Sequence, residues 1–288
     1  MSNYRWICFG DRTLAPARSA GTDTLARMCL LVFAWQMEPG YALVVAANRD
    51  EQLDRPAHPL CVLRESNPRI LGGRDDLAGG TWLAVNDHGV VAGLTNRPSP
   101  GGRDLSKRSR GELPLMLAGQ RSADDGVAEL VRNVQAGEYN PAWLLVGDRQ
   151  SLYYIALPAD EAPVVHQLTP GVHVLENVAL GESSPKVDRI RSLVSAARSA
   201  NTTLWTALPS ALADHTVPVA ADGESSKNDA IARRPATFAS CVHTDDYGTR
   251  SSALMRVPEV LHARPEMLVA DGPPCTAPFV DVGYRWDR

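Results

Sequence analysis

The chain has 288 residues, of which 44% are hydrophobic and 22% are charged, and its formal net charge is −4. This composition is typical of a globular protein and provides no basic excess for binding a nucleic-acid backbone. No apolar run reaches the roughly 18 residues needed to span a bilayer, and the charged residues Arg5, Asp11 and Arg12 interrupt the start where a signal peptide would be apolar. We therefore expect a cytoplasmic protein with no nucleic-acid partner and no membrane span.

The character of the chain changes at Met28-Cys29. Residues 1–27 show no hydrophobic period of two or 3.6, whereas Leu30–Trp35 is a clean apolar strand. A methionine followed by a small residue is typical of a translation start, and removal of this methionine would leave Cys29 with a free α-amine. We expect residues 1–27 to be a disordered leader or an over-extended start. The alternative is a genuine extension in front of a buried, inert Cys29.

The first half of the remaining chain is predicted to contain two hairpins followed by two helices. The hairpins pair Leu30–Trp35 with Tyr41–Ala47 and Thr81–Val85 with Val90–Thr95. Residues 54–80 lie between them and form a polar stretch rich in proline and glycine, in which no strand is predicted. Helical character follows at Ser109–Gly119, where Pro114 is a potential disturbance, and at Ala123–Gln135.

The second half begins with a third hairpin, and its remaining predicted elements are listed here in chain order. They are the hairpin Trp143–Val146 with Leu152–Leu157, strands Val164–Leu168 and Val172–Leu175, a helix from Pro185 to about Ala200 capped by Ser183 or Ser184, a short helix Thr202–Ala213, a loop 214–235 and a last hairpin pairing Phe238–Val242 with Ser252–Val257. The proline-rich tail 258–288 is expected to have little regular structure and to pack on the domain.

The order of these elements predicts the fold class. Strands cluster in hairpins and helices fall in two separate groups, which differs from the βαβ alternation of a parallel sheet. We therefore predict an α+β fold, a four-layer αββα sandwich of two antiparallel sheets, formed by one domain over residues 28–257.

The open end of the first hairpin brings chemistry-bearing residues together. With a turn centred near residue 38, Cys29 faces about residue 47, so Asn48, Arg49 and Asp50 follow beside it. Arg49 would favour the reactive thiolate, and an α-amine with a pKa of about 7.7–8.0 can act as a general base that Asp50 holds in place. The alternative is that Arg49 and Asp50 form an exposed ion pair after a strand.

The second hairpin carries a candidate oxyanion donor. With a turn centred near residue 87.5, Asn96 leaves the sheet beside Gly79-Gly80, where a backbone can approach a ligand closely. An asparagine amide can donate to a developing oxyanion. The alternative is a turn asparagine in front of Arg97-Pro98.

The cysteines and histidines show no metal-ligand spacing along the chain. The five cysteines are widely separated without a Cys-x-x-Cys pair, and the seven histidines contain no His-Glu-x-x-His motif. The spacing therefore predicts neither a metal site nor a cofactor.

Nine short blocks occur in order between residues 28 and 257. They are Met28-Cys29-Leu30, Asn48-Arg49-Asp50-Glu51, Gly72-Gly73-Arg74-Asp75, Gly79-Gly80-Thr81-Trp82, Gly93-Leu94-Thr95-Asn96-Arg97, Ser109-Arg110-Gly111, Leu144-Leu145-Val146-Gly147-Asp148, Pro185-Lys186-Val187 and Tyr247-Gly248-Thr249-Arg250-Ser251-Ser252. Together they resemble the NRDE family, also called the transport and Golgi organisation protein two family. That family is in turn similar to N-terminal cysteine nucleophile (Ntn) hydrolases such as bile salt hydrolases and penicillin V acylases.

The resemblance implies a set of site residues and an Ntn-hydrolase-like fold. The catalytic candidates are Cys29, Arg49, Asp50, Asn96, Asn177 and Arg250. Cys29 matches the nucleophile of these hydrolases, and Asn177 and Arg250 resemble their second active-site asparagine and their late arginine. Thr95 replaces Asn96 as the oxyanion donor if the alignment slips by one residue.

Two functions follow from the resemblance. In the first, the protein is an enzyme that cleaves a non-peptide amide or related acyl bond of a small molecule by attack of Cys29, with Asn96 and Asn177 stabilising the oxyanion. In the second, the same fold is a non-catalytic protein that handles haem or acyl lipids such as acyl-CoA, and Cys29 or an exposed histidine would bind the haem. A scaffold that has lost its activity is a third reading.

Overall fold

A computed structural model describes residues 29–99, 101–217 and 235–287 of the chain. The expectations for residues 1–27 and for most of the loop 214–235 therefore lie outside the described residues. Within the described ranges there are thirteen strands and four α-helices.

The strands and helices are numbered here in chain order. The strands are β1 (Leu30–Glu38), β2 (Tyr41–Gln52), β3 (Ala57–Arg64), β4 (Ile70–Asp75), β5 (Leu83–Asn86), β6 (Val91–Asn96), β7 (Ala142–Gly147), β8 (Leu152–Leu157), β9 (Val164–Gln167), β10 (Gly171–Leu175), β11 (Tyr247–Pro258), β12 (Glu266–Ala270) and β13 (Val280–Asp281). The helices are α1 (Glu112–Leu117), α2 (Ala123–Asn133), α3 (Pro185–Ser199) and α4 (Leu204–Leu212).

The strands form two antiparallel sheets that pack face to face. The first sheet has the order β10-β1-β2-β11-β12-β13, and the second has the order β3-β4-β5-β6-β7-β8-β9. Side chains from the facing surfaces, such as Phe33, Val45 and Leu145, form the core between the sheets. This arrangement confirms the predicted pair of antiparallel sheets in an α+β fold.

The alternation of side chains along each strand explains the outer two layers. Odd-numbered residues of β1 such as Phe33 face the other sheet, whereas even-numbered residues such as Val32 pack with Ile190 and Leu208 of α3 and α4. On the second sheet, residues such as Leu144 pack with α1 and α2 in a separate core. The four layers are therefore helices, sheet, sheet and helices.

The helices begin where their sequences favour a start. Ser184 caps α3 by accepting a hydrogen bond from the Val187 backbone N–H, and Pro185 occupies the first turn. Pro114 lies in the first turn of α1, where a missing N–H breaks no hydrogen bond, so it does not disturb that helix. No helix in the described ranges has both the length and the apolar character required to cross a bilayer.

The stretch 54–80 was wrongly predicted to lack strands, because it contains β3 and β4. Its glycines weaken the pattern of apolar and β-branched residues from which strands are predicted. A Cβ on Gly72 would lie 2.5 Å from the carbonyl oxygen of Leu83, so this strand pairing requires glycine. Pro59 lies in β3, an edge strand of the second sheet, where a missing N–H is tolerated.

The last predicted hairpin was also wrong, and so was the expectation for the tail. Pro235–Phe238 is a 3₁₀ turn, and no strand follows it before β11. β11 instead pairs along its length with β2, which continues to Gln52, and with β12. The tail prolines flank β12 and β13 rather than interrupt them, so the tail adds two strands to the first sheet.

Candidate active site at the open end of the sheets

Cys29 immediately precedes β1 and lies at the open end of the space between the sheets. Leu30 pairs with Asn48 of β2, so one further step of this register sets Cys29 opposite Arg49. The predicted register was two residues off because β1 continues to Glu38, well into the predicted turn. The predicted neighbourhood of Cys29 is nevertheless present.

A cleft at this end is lined by residues of both sheets and of the loop in front of α1. Four of the six candidate residues line it, namely Cys29, Arg49, Asp50 and Asn96. Asn96 ends β6 beside Gly79, as the second hairpin predicted. The sequence-based site residues from two different hairpins therefore meet in one cleft.

Asn177 is not part of the cleft lining. It follows β10, whose Leu175 pairs with Leu31 of β1, so two further steps of the register set Asn177 opposite Cys29. Its side chain is only 8% exposed, and its Oδ1 has no hydrogen-bond partner among the described residues. A buried amide oxygen without a partner is unfavourable, so this acceptor is available to a water molecule or to a donor of a ligand.

Arg250 is the candidate residue that lies away from the cleft. Its Nη1 donates to the backbone carbonyl oxygens of Gln52 and Leu53 at 2.8 Å and of Arg55 at 3.1 Å. The guanidinium therefore fastens the loop that follows β2. Its position supports a role in holding that loop, and the site role that the resemblance implied stays a prediction.

The carboxylate of Asp50 is buried together with a lysine. Its Oδ2 accepts a hydrogen bond from Lys186 Nζ at 3.0 Å, and its Oδ1 accepts one from Thr249 Oγ1 at 2.6 Å. Both side chains of the ion pair have an exposed fraction of 0%. Burial raises the pKa of Asp50 above its ordinary value, while Lys186 and Thr249 oppose that shift.

Sequence reasoning did not select Lys186 as a site residue. A lysine in the first turn of a helix is usually solvated, and nothing in its spacing indicates burial. The sequence contained no signal for its burial, since the Ser184 cap and Pro185 mark only where α3 begins. A fully buried lysine needs a carboxylate partner, and Asp50 is that partner.

The surroundings of the Cys29 thiol favour its protonated form. Burial raises the pKa of this thiol to about 12, and the charge of Asp50 adds to the shift. Arg49 lowers the pKa, as the sequence analysis expected, but burial outweighs it. The thiol therefore needs a base before it can act as a nucleophile near neutral pH.

Charged side chains connect the two sheets at the cleft. Arg49 Nη2 lies 3.6 Å from Glu51 Oε2 and 3.6 Å from Asp75 Oδ2, which comes from β4 in the other sheet. Arg55 Nη2 makes a closer contact of 2.8 Å with Asp75 Oδ2. Burial acts to raise the pKa of Asp75, yet Arg55 and the Ala78 backbone N–H together lower it below its ordinary value. Asp75 is therefore a fixed anion that orients both arginines.

The opposite wall of the cleft is a tight contact between two backbone segments. Gly80 has a φ of +82°, and a Cβ there would lie 2.4 Å from the carbonyl group of Gly111. The Thr81 N–H donates to the Gly111 carbonyl at 2.9 Å, and Ser109 Oγ donates to the Gly79 carbonyl at 3.1 Å. These contacts fix the backbone beside Asn96.

Comparisons with known proteins show which proteins the chain is similar to. The family model Transport and Golgi organisation 2 matches residues 28–262 of the chain. A Transport and Golgi organization protein 2 homolog from Bos taurus is 30% identical over 255 residues, which cover 80% of this chain and 88% of the relative.

Two solved structures resemble the fold at low sequence identity. A Caenorhabditis elegans ortholog of N-acylethanolamine-hydrolyzing acid amidase aligns with a TM-score of 0.51 and 14% identity, over 82% of this chain and 98% of that chain. A variant of the conjugated bile acid hydrolase from Clostridium perfringens aligns with a TM-score of 0.51 and 11% identity, over 90% and 93% of the two chains. These likenesses concern the fold, which is that of the Ntn hydrolases.

Proposed function

Because this chain belongs to the Transport and Golgi organisation 2 family and has the fold of Ntn hydrolases, we propose that it is a cysteine hydrolase. Its substrate would be a small molecule with a non-peptide amide or related acyl bond. The observation that carries the proposal is the position of Cys29, which precedes the first strand and lines a cleft together with Arg49, Asp50 and Asn96. The cytoplasmic location stays a prediction.

The proposed reaction has two steps. The α-amine of Cys29 takes the thiol proton, Cys29 Sγ attacks the acyl carbon, and the bond from that carbon to the leaving nitrogen or oxygen breaks as the ammonium returns the proton. Water then attacks the thioester, with the same amine as base, and releases the acid and the thiol. Asn96, and Asn177 if its amide turns toward Cys29, would donate to the oxyanion in both steps.

The raised pKa of the thiol makes the free amine essential to this proposal. In a chain that keeps the peptide bond between Met28 and Cys29, no α-amine is present at Cys29. Translation from Met28 with removal of that methionine, or cleavage after it, would supply the amine. Asp50 already accepts from Lys186 and Thr249, but a carboxylate has about four acceptor sites and can take the ammonium as a third donor.

One observation favours the non-catalytic alternative. With its amine in a peptide bond, Cys29 combines a thiol pKa of about 12 with partial exposure in a cleft. A thiol that stays protonated near neutral pH does not attack an acyl bond, so a protein in this state would be limited to binding a ligand such as haem or an acyl lipid such as acyl-CoA. Haem would then be a ligand that Cys29 or an exposed histidine coordinates.

The test compares three proteins: the chain that begins at Cys29, the full chain and a Cys29→Ala variant of the shorter form. Each is incubated with an electrophilic acyl probe and with N-acylethanolamine and conjugated bile acid substrates, chosen from the named activities of the two similar structures. Peptide mass spectrometry locates the label, because other cysteines can react. We expect acylation of Cys29 and product release only from the chain that begins at Cys29.

Equal labelling or turnover by the Cys29→Ala variant would refute the hydrolase proposal. A haem titration followed by absorbance on the same three proteins tests the alternative. Saturable binding by the full chain that is lost in Cys29→Ala, together with no turnover by any form, supports the carrier function.

A further inference from the structure

A cluster of two histidines and two cysteines lies outside the cleft. It consists of His215, Cys241, His243 and Cys275, and the nearest ligand atoms of these residues all lie within 4.8 Å of one another. They come from three segments: the residues after α4, those between the 3₁₀ turn and β11, and those between β12 and β13. Cys241 is buried and the other three are exposed, so an ion can reach the cluster.

The distances between the ligand atoms match one small tetrahedral ion. Cys241 Sγ lies 3.7 Å from Cys275 Sγ, and His243 Nε2 lies 3.5 Å and 3.2 Å from these two sulfurs. Zinc bonds of about 2.3 Å to sulfur and 2.0–2.1 Å to nitrogen give edges of roughly 3.3–3.8 Å between tetrahedral ligands. The three measured edges, 3.2–3.7 Å, are therefore within about 0.4 Å of the lengths that a bound zinc ion would give.

The fourth ligand is oriented by its own second nitrogen. His215 Nδ1 lies 3.2 Å from the carbonyl oxygen of Cys241, which leaves Nε2 as the nitrogen available to a metal. Histidine ligands in metal sites usually donate their other N–H to a carbonyl or carboxylate in this way. The rings of His215 and His243 are 5.0 Å apart and tilted by 48°, so both can approach one ion.

We propose that His215, Cys241, His243 and Cys275 bind a structural zinc ion. Thiolate and imidazole ligands favour zinc over magnesium or calcium, which prefer oxygen. Four protein ligands fill the tetrahedral shell and leave no position for a substrate, which is typical of a structural site rather than a catalytic one. The proposal does not depend on hydrolase activity at Cys29.

The ion would fasten the tail and the segment 240–243 beside the end of β2. The Ser240 carbonyl accepts from Asn48 Nδ2 at 2.7 Å, and the Val242 N–H donates to Thr249 Oγ1 at 2.9 Å. That same hydroxyl donates to Asp50. Zinc bound at Cys241 and His243 would therefore stabilise the residues that hold Asp50.

The spacing of cysteines and histidines predicted no metal site, because metal-ligand motifs consist of residues close together in the chain. Only Cys241 and His243 are close neighbours, and His215 and Cys275 lie 26 and 34 positions from Cys241. Pairing of β11 with β12 and the placement of α4 against β2 bring them together. No motif of the usual spacing could have indicated this set.

The test measures metal in tag-free protein purified under reducing conditions, using elemental mass spectrometry. We expect about one zinc per chain, falling below about one tenth in Cys241→Ser and in Cys275→Ser. Cys29→Ser is the matched control and keeps its zinc, because Cys29 is not in the cluster. Replacing zinc by cobalt should give the visible absorption bands of tetrahedral cobalt bound to thiolates.

A chelator applied to the unmodified protein gives a measurement that needs no variant. Removal of zinc should lower the melting temperature by several degrees, about 4 °C or more, and added zinc should restore it. The proposal fails if reduced, metal-free protein binds no zinc, if only copper binds, or if Cys275→Ser retains one zinc per chain. It also fails if Cys241 and Cys275 form a disulfide in protein isolated without oxidation.

Discussion

At the end of β2, side chains point alternately to the two faces of the first sheet. The polar side chains on these two faces differ in what they contact. Arg49 and Glu51 face the space between the sheets, and Arg49 lies 3.6 Å from Glu51 and from Asp75 in the other sheet. The side chains of Asn48 and Asp50 contact the helix layer instead, where every polar atom has a close partner, although Asp50 also lines the cleft. Within the tetrapeptide Asn48-Arg49-Asp50-Glu51, Arg49 and Glu51 therefore line the cleft, whereas Asn48 and Asp50 join the first sheet to its helix layer.

This difference separates two kinds of contribution. Asn48 donates to the Leu212 and Ser240 carbonyls and accepts from Ser252 Oγ, so it joins α4 and the segment 240–243 to the first sheet. Asp50 is fixed by two donors in the same layer. On the cleft side the contacts are longer and adjoin a partly exposed thiol. We expect substitutions of Asn48 and Lys186 to affect mainly stability and those of Arg49 to affect mainly the reactivity of Cys29, whereas Asp50, which acts on the thiol as well, contributes to both.

Lys186→Met should have the largest effect. It leaves the Asp50 carboxylate buried without its cation, and breaking such a pair costs about 3–5 kcal/mol in the free energy of unfolding. Urea denaturation at neutral pH measures this loss. Because burial already raises the pKa of Asp50, its ionised form is the unfavourable one, and the deficit should shrink as the pH falls below that raised pKa.

The double variant Asp50→Asn with Lys186→Met is the control for that experiment. It removes both charges and should recover most of the lost stability, because no ion stays buried alone. If Lys186→Met alone unfolds at the same urea concentration as the unmodified protein, the buried pair of Lys186 and Asp50 does not stabilise the fold.

Hydrophobic patterns and turn residues were sufficient to predict the layers. Alternation and turn signals gave the first three hairpins, and the Ser184 cap with Pro185 gave the start of α3. The patterns failed where tertiary contacts decide the structure, as in β4 with its paired glycines and in β12 between two proline-rich stretches. A strand that needs Gly72 for close approach carries little of the β-branched signal that marks other strands.

The site was predictable to the extent that its residues are close in sequence or belong to the family pattern. Cys29, Arg49, Asp50 and Asn96 meet because two hairpins end at the same edge. Lys186 could not be derived, since its burial depends on how α3 packs across the sheet. The pKa of Cys29 was expected to be lowered by Arg49, yet the depth of burial, which a sequence does not contain, decided its direction.

The pH dependence of Cys29 alkylation should have the next largest effect. In the full chain the thiol has a pKa of about 12, so the thiolate fraction and the rate should rise about tenfold per pH unit, or about a hundredfold from pH 7 to pH 9. In the chain that begins at Cys29, the rate should level off near the pKa of the α-amine, about 7.7–8.0. Iodoacetamide labelling of the Cys29 peptide, followed by mass spectrometry, measures both profiles. Identical profiles would show that the amine does not serve as the base.

Arg49→Met tests the face of β2 that lines the cleft. Of the predicted effects, its effect on the rate of Cys29 alkylation should be the smallest. Arg49 lowers the pKa of Cys29, and its loss should slow alkylation of the full chain by about tenfold, which corresponds to one pKa unit. The free energy of unfolding should fall by about 1–3 kcal/mol, less than for Lys186→Met, because Arg55 stays as a cation beside both Glu51 and Asp75. Arg55→Met is the matched control. Its contact with Asp75 is closer, at 2.8 Å, whereas the main charges that shift the pKa of Cys29 are those of Asp50, Arg49 and Glu51, so Arg55→Met should lower stability more and slow alkylation less than Arg49→Met. If both variants slow alkylation equally, the reactivity of Cys29 follows the integrity of the whole ion network rather than the charge of Arg49.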